Sequence, residues 1–212
     1  MSALIKRGLD ILLVLFSGII SLPFILIISI ILRFSISKPV FFCQDRPGFK
    51  GKPFKMFKFR TMTDKKDSNG NLLPDNDRLT KFGRFLRVTS LDELPEILNV
   101  LKGEMSLVGP RPLAMEYLER YNSEQARRHD VKPGITGLAQ VSGRNLLSWE
   151  EKFKLDVWYV DHWSLFLDLK ILCKTLKMVL IREGVVPEGR SVLQDFMGSE
   201  NSQQSQKEKI TI

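Results

Sequence analysis

Residues 11–32 carry no charged side chain, and this apolar run of 22 residues constrains the chain more than any other feature. A helix rises 1.5 Å per residue, so the run is long enough to cross a hydrocarbon layer of about 30 Å. Lys6 and Arg7 precede it, as in a secretory signal. However, the run exceeds the usual apolar core of such signals, and no small-x-small cleavage site follows. The segment is therefore expected to remain as an anchor. Basic residues crowd both of its flanks: Lys6 and Arg7 before it, Arg33, Lys38, Arg46 and Lys50 after it. A simple span leaves only one flank on the cytoplasmic side, against the preference of basic flanks for that side. Pro23 interrupts helical hydrogen bonding near the middle of the run. A re-entrant helix-break-helix entering and leaving by one face satisfies both flanks and the proline, with a kinked single span as the alternative. Ser17 and Ser21 stand where hydroxyls can support a broken backbone.

Beyond the anchor, residues 40–62 (VFFCQDRPGFKGKPFKMFKFRTM) read as two apolar-aromatic strands around a Pro-Gly turn. Residues 64–78 are polar and turn-rich, the pattern of a mobile loop. Helical periodicity returns over 79–102, 113–130 and 148–182, and the last stretch mixes leucines with lysines as an interfacial amphipathic helix would. Trp149, Trp158 and Trp163 fall in the same stretch and suit either a headgroup layer or a core. The fold class expected is α+β, mainly helical. It combines a re-entrant membrane helix, a small β-hairpin and amphipathic interfacial helices. The divisions are an anchor at 1–36, a cytoplasmic domain with surface helices at 37–195, which the resemblance described below implies to be catalytic, and a disordered polar tail at 196–212.

The charge balance, 32 Lys+Arg against 24 Asp+Glu for a net +8, suits anionic partners. No nucleic-acid module is recognisable, so phosphorylated metabolites and acidic lipid are favoured over nucleic acid. Cys43 and Cys173 lie in apolar runs and read as buried, reduced thiols. His129 and His162 read as surface or hydrogen-bonded histidines, and Arg127-Arg128 as solvated helix charge.

Two clusters suit phosphate chemistry. Arg111 lies between Pro110 and Pro112, on backbone stiffened by both rings, and a stiffly held guanidinium suits bidentate phosphate recognition. Asp92 and Glu93 are adjacent acids at a helix start, preceded by Arg84 and Arg87. Ser90-x-x-Glu93 also matches a capping box, and on the residues alone that bland explanation is the stronger one.

The order of the longer motifs alters that balance. FCQDRPG (42–48), KMFKFRTM (55–62), RLTKFGRFLR (78–87), TSLDELPEILNVLKGEMSLVGPRP (89–112) and RHDVKPGITGLAQVSGRN (128–145) together resemble the bacterial sugar transferases of the monotopic phosphoglycosyl transferase family. The resemblance reaches about residue 190. It implies transfer of a sugar-1-phosphate from a UDP-sugar to undecaprenyl phosphate, the first membrane step of making a capsule, exopolysaccharide, O-antigen or glycoprotein. It implies Asp92 as the nucleophile that forms a covalent phosphosugar, with release of UMP. Glu93 would complete an acidic pair that binds Mg²⁺. Arg87, Pro110, Arg111 and Pro112 are implied as donor contacts, and Arg144 as a weaker one. The implied location is the bacterial inner membrane with the catalytic domain facing the cytoplasm. Homodimers or downstream glycosyltransferases remain open as further partners. Ser21-Leu22-Pro23 departs from the Ser-Pro that the family carries at the helix break. Two rivals stand beside this reading: a membrane-tethered binding protein without activity, and a glycosyltransferase releasing UDP in place of UMP.

Overall fold

The structure, a computed structural model, describes residues 2–36, 38–143, 147–181 and 195–198. The described residues group into two compact units, one from residues 1–44 and 55–103, the other from residues 45–54 and 104 onward.

In the first unit, helix α1 (Ser2–Ser35) is helical through Pro23 without interruption. Its Leu, Ile and Phe side chains point outward on most sides, Phe16, Ile19, Phe24, Ile30 and Phe34 each being more than half exposed. A helix apolar all round and left uncovered has the character of a membrane-embedded segment. The expected serine support takes another form. Ser17 Oγ donates to Val14 O at 3.3 Å and Ser21 Oγ to Gly18 O at 3.4 Å. Neither bond reaches Ile19, whose carbonyl lacks a donor because position 23 is proline.

One stripe of α1 is buried, and it meets the rest of the unit near both ends. Ile28, Leu32 and Ile36 form a core with Phe59 and Leu86. Near the other end, Arg7 Nη2 donates to Leu101 O at 2.9 Å and Arg7 Nη1 to Val100 O. Strands β1 (Phe41–Pro47) and β2 (Pro53–Phe59) pair as the expected hairpin, antiparallel because so short a link allows nothing else. The loop after it is tied down by local bonds. Asp67 Oδ1 accepts from Asn69 N and Asn71 N, and bridges join Met62 to Leu79 and Lys66 to Leu72. A helical turn, α2 (Asp75–Arg78), leads into α3 (Lys81–Val88), capped by Thr80, whose hydroxyl accepts from Gly83 N. Gly83 is required there: a Cβ would sit 2.1 Å from Thr61 O. A 3₁₀ turn, Leu91–Glu96, then runs into α4 (Ile97–Lys102), which ends on Gly103 at φ 83°.

The second unit is built on a short parallel pair, β3 (Ser106–Val108) beside β4 (Gly134–Thr136), with Ser106 opposite Gly134 and Val108 opposite Thr136. The crossover between them holds α5 (Ser123–Ala126) and 3₁₀ turns at Met115–Arg120 and Arg127–Asp130. After β4 come α6 (Leu138–Ser142), α7 (Trp149–Asp161) and α8 (Leu165–Ile181). Val108, Tyr159 and Ile171 form one core; Tyr117, Phe153 and Phe196 form a second. Phe196 is fully buried although the sequence reading places it in the polar tail; residues 199–212 of that tail lie outside the described residues.

The tryptophans divide between the two readings. Trp149 packs against the second core and Trp163 donates to Asp168 Oδ2 at 3.0 Å, while Trp158 is exposed. Helix α8 shows solvent a face of Phe166, Leu169, Leu176 and Val179. Cys43 and Cys173 are exposed, contrary to expectation, because their apolar neighbours belong to uncovered faces.

Candidate active site

The acidic segment belongs to the first unit. Ser90, the residue before the 3₁₀ turn, adopts φ 57° and ψ 18°, a left-handed conformation that costs a non-glycine residue roughly 1 kcal/mol or more. Its side chain makes no capping bond. The capping box expected at Ser90-x-x-Glu93 is therefore absent. Boxes form instead at Asn122/Gln125 and Ser148/Glu151, whose capping residues have extended backbone. Glu93 turns to Lys58 on β2, with Oε1 2.6 Å from Nζ. Lys58 also lies 3.3 Å from Glu96 Oε1. Glu96 is almost wholly buried, and the three charges form a network that the sequence reading missed. Its one legible trace is the three-residue spacing of the two acids, which eclipses side chains in a 3₁₀ turn.

Asp92 is half-buried beside Glu93 in the same turn. Arg87 closes α3, with Nε donating to the buried Thr61 hydroxyl at 3.0 Å. The close fit of Gly83 against Thr61 O fixes the same contact. Asp92, Glu93 and Arg87 thus share one unit and two consecutive elements. Hard carboxylate oxygens, partly exposed, fit Mg²⁺, which commonly uses one or two carboxylates and keeps several waters. No cluster of three metal-ligating side chains occurs among the described residues.

The Pro110-Arg111-Pro112 loop belongs to the second unit. It leaves β3 and is braced by β4: Gly109 N donates to Thr136 O at 2.9 Å and Gly134 N to Pro110 O at 3.0 Å. Backbone meets backbone here, since a Cβ on Gly134 would lie 2.1 Å from Gly109 N, and one on Gly137 2.2 Å from Gly109 O. The spacing of glycines in KPGITG reflects this close approach.

Beneath the loop sits Arg128, expected as solvated charge and found buried. Its Nε and Nη2 reach Asp156 Oδ2 at 3.0 and 2.7 Å, and Nη2 also donates to Arg111 O at 2.7 Å. Burial pushes the Asp156 carboxyl up, and the guanidinium opposes it. Arg127, by contrast, pairs at the surface with Glu124 and Asp161. His129 is buried, not superficial. Desolvation first, and the Arg128 charge second, lower its pKa to about 4. With Pro47, Arg111 and Pro133 it lines a narrow crevice. His162 is exposed, as expected, and stacks on Trp158 at 4.4 Å. Arg144 lies outside the described residues.

Residues 1–182 match the family described as bacterial sugar transferase. The chain is 57% identical over 196 residues to the uncharacterized sugar transferase EpsL of Bacillus subtilis, covering 92% of this chain and 97% of that one. It is 38% identical to the exopolysaccharide production protein ExoY of Rhizobium meliloti, over 84% of this chain and 87% of that one. Identity is 44% to the UDP-glucose:undecaprenyl-phosphate glucose-1-phosphate transferase of Klebsiella pneumoniae, over 73% of this chain but 35% of that longer protein. A binding protein without activity is thereby set aside, and the chain belongs to the bacterial sugar transferase family.

Proposed function

We propose that this enzyme transfers a sugar-1-phosphate from a UDP-sugar to undecaprenyl phosphate at the cytoplasmic face of the bacterial inner membrane. The Klebsiella relative, a UDP-glucose:undecaprenyl-phosphate glucose-1-phosphate transferase by name, supports the reaction class. The observation that carries the site is the Lys58–Glu93 contact. It fixes the Glu93 carboxylate on Lys58, in the same turn that carries Asp92. In this reading an Asp92 oxygen attacks the β-phosphorus of the donor. The bond from that phosphorus to the oxygen bridging the two phosphates breaks, and UMP leaves with the bridging oxygen. A phosphate oxygen of undecaprenyl phosphate then attacks the same phosphorus, and the Asp92 carboxylate is released. Arg87 supplies fixed positive charge for the phosphate oxygens, and the family resemblance implies the same role for Arg111. Mg²⁺ bound by Asp92 and Glu93 would neutralise diphosphate charge.

The re-entrant topology is kept here without the break expected at Pro23, since α1 is continuous there, and what supports it is the packing of the helix ends. Arg7 and Leu32 are 25 residues apart, about 37 Å along a straight helix. Yet Arg7 bonds to α4, and Leu32 packs on Phe59 and Leu86 of the same unit. Both ends thus pack against one compact unit, and a unit kept on one side of the membrane keeps both ends there. The similarity to ExoY favours exopolysaccharide as the destination of the product.

The test is covalent labelling. Incubated with a UDP-sugar carrying ³²P in the β position, the purified chain should acquire label and release UMP, and Asp92→Asn should acquire none. Label persisting in Asp92→Asn would remove that residue from the nucleophile role, and release of UDP would replace the reaction itself.

A further inference from the structure

Between residues 195 and 209 the only large apolar side chains are Phe196 and Met197, and this stretch lies beyond the family match, which ends at residue 182. Composition alone gives such a segment no reason to dock. Phe196 is nevertheless fully buried. Its ring meets Phe153 edge-on at 4.9 Å and Tyr117 edge-on at 5.7 Å, and stacks on Tyr121 at 5.8 Å. Its backbone is held as firmly: Arg120 Nη1 donates to Phe196 O at 2.6 Å, and Phe196 N donates to the Tyr117 hydroxyl at 3.2 Å. That hydroxyl donates in turn to Asp195 Oδ1 at 3.2 Å. Aromatic contact on three sides, with both backbone groups bonded, defines one docked geometry.

The far side of the same aromatic cluster is Arg128. Its guanidinium lies 5.7 Å from the ring centres of both Tyr121 and Phe153, and its Nη1 donates to the Tyr121 hydroxyl at 3.3 Å. Arg128 is the residue that holds the carbonyl of Arg111. Phe196, Tyr121, Arg128 and Arg111 therefore form an unbroken chain of contacts from the docked segment to the phosphate loop.

We propose that Phe196 is a positioning residue for Arg111, acting through Tyr121 and Arg128 to set the loop that receives the donor's nucleotide phosphate. The proposal rests on the role assigned to Arg111 under the proposed function. It makes residues 195–198 part of the substrate site's support, in a stretch that the family match does not include.

The experiment measures UMP affinity by calorimetry on the full chain in lipid nanodiscs, for wild type, Phe196→Ala, Arg111→Ala and the double variant. Phe196→Ala should weaken UMP binding about tenfold. The double variant should bind no more weakly than Arg111→Ala, because both changes disable one contact. A purely structural role for Phe196 would lower the thermal midpoint and the folded fraction and leave the affinity of the folded protein alone. That result, or additive losses in the double variant, overturns the proposal. Phe196→Leu, which keeps apolar volume but loses the ring stacking, gives the same comparison if the alanine variant does not fold. If Arg111→Ala binds UMP normally, the phosphate role of Arg111 fails and takes the proposal with it. If Arg111→Ala weakens binding and Phe196→Ala does not, only the positioning role is lost.

Discussion

Lys58 Nζ lies 2.6 Å from Glu93 Oε1 and 3.3 Å from Glu96 Oε1, so one ammonium on a strand serves two carboxylates on the facing 3₁₀ turn. Glu96 has almost no contact with water, and Lys58 supplies it with compensating charge. Removing one partner of a buried pair strands the other. Lys58→Met should therefore cost about 3 kcal/mol of unfolding free energy, the lower end of the usual range because Lys58 keeps some exposure. Adding Glu96→Gln should restore most of that stability, as read by denaturant titration. Activity should not return with it, since Glu93 would still lack its ammonium. Recovery of both together would reduce Lys58 to a structural cation.

Glu93→Gln separates charge from shape. Because no capping box forms at Ser90, the change does not break one, and the amide loses the ionic partner of Lys58. The expected protein is folded and membrane-bound, with UMP release down by about two orders of magnitude, the scale of losing one carboxylate from proton or metal work. Near-normal turnover would assign the catalytic acid elsewhere.

Asp156→Asn probes the support of the phosphate loop. Arg128 and Asp156 are both nearly inaccessible, and the amide would leave a buried guanidinium without its counter-charge. A loss of about 3–5 kcal/mol is expected. UMP affinity should fall in the same variant, because Arg128 carries the Arg111 carbonyl. Calorimetric unfolding with a parallel UMP titration checks both.

These networks mark the limit of what the sequence discloses. The apolar run at 11–32 and the hairpin at 40–62 were legible because their signals are local: length in one case, strand periodicity around Pro47-Gly48 in the other. Ser90-x-x-Glu93 has the letters of a capping box, yet Lys58, 35 residues earlier, competes for Glu93. Arg128 reads as solvated until Asp156, 28 residues later, is brought against it. Exposure of Cys43 and Cys173 was misjudged for a related reason: an apolar neighbourhood signals burial only when something covers it. Partners far apart in sequence decided each of these positions.

His129 should give the chain a distinct acid sensitivity. Its folded pKa, about 4, lies below the ordinary histidine value of 6.5, so between these values the unfolded state binds more protons. The resulting stability is present above pH 6.5 and is lost as pH falls towards 4. Between pH 7 and pH 5 the loss is at most about 2 kcal/mol. Asp156 contributes with the opposite sign, because its carboxyl is raised by burial and stability from it declines as pH rises. The informative quantity is the difference between wild type and His129→Gln. Wild type should lose stability more steeply from pH 7 to pH 5, and parallel curves would exclude His129 as the source.

The anchor's topology can be read by cysteine accessibility once the native thiols are removed. Cys43 and Cys173 are both exposed and would react, so the background must be Cys43→Ser/Cys173→Ser. Single cysteines are then placed at Ser2, before the apolar run, and at Asp64, after it. In right-side-out cells an impermeant maleimide should label neither, and after permeabilisation it should label both. The physical ground is that Arg7 is bonded to Val100 and Leu101 while Leu32 is packed on Phe59 and Leu86. A helix whose two ends are held by one unit on one side of the membrane cannot leave one of them across about 30 Å of hydrocarbon. Labelling of position 2 alone in intact cells would show a spanning helix. The Arg7 contact would then have to break in the membrane, and an Arg7→Ala variant would show the same labelling as its parent.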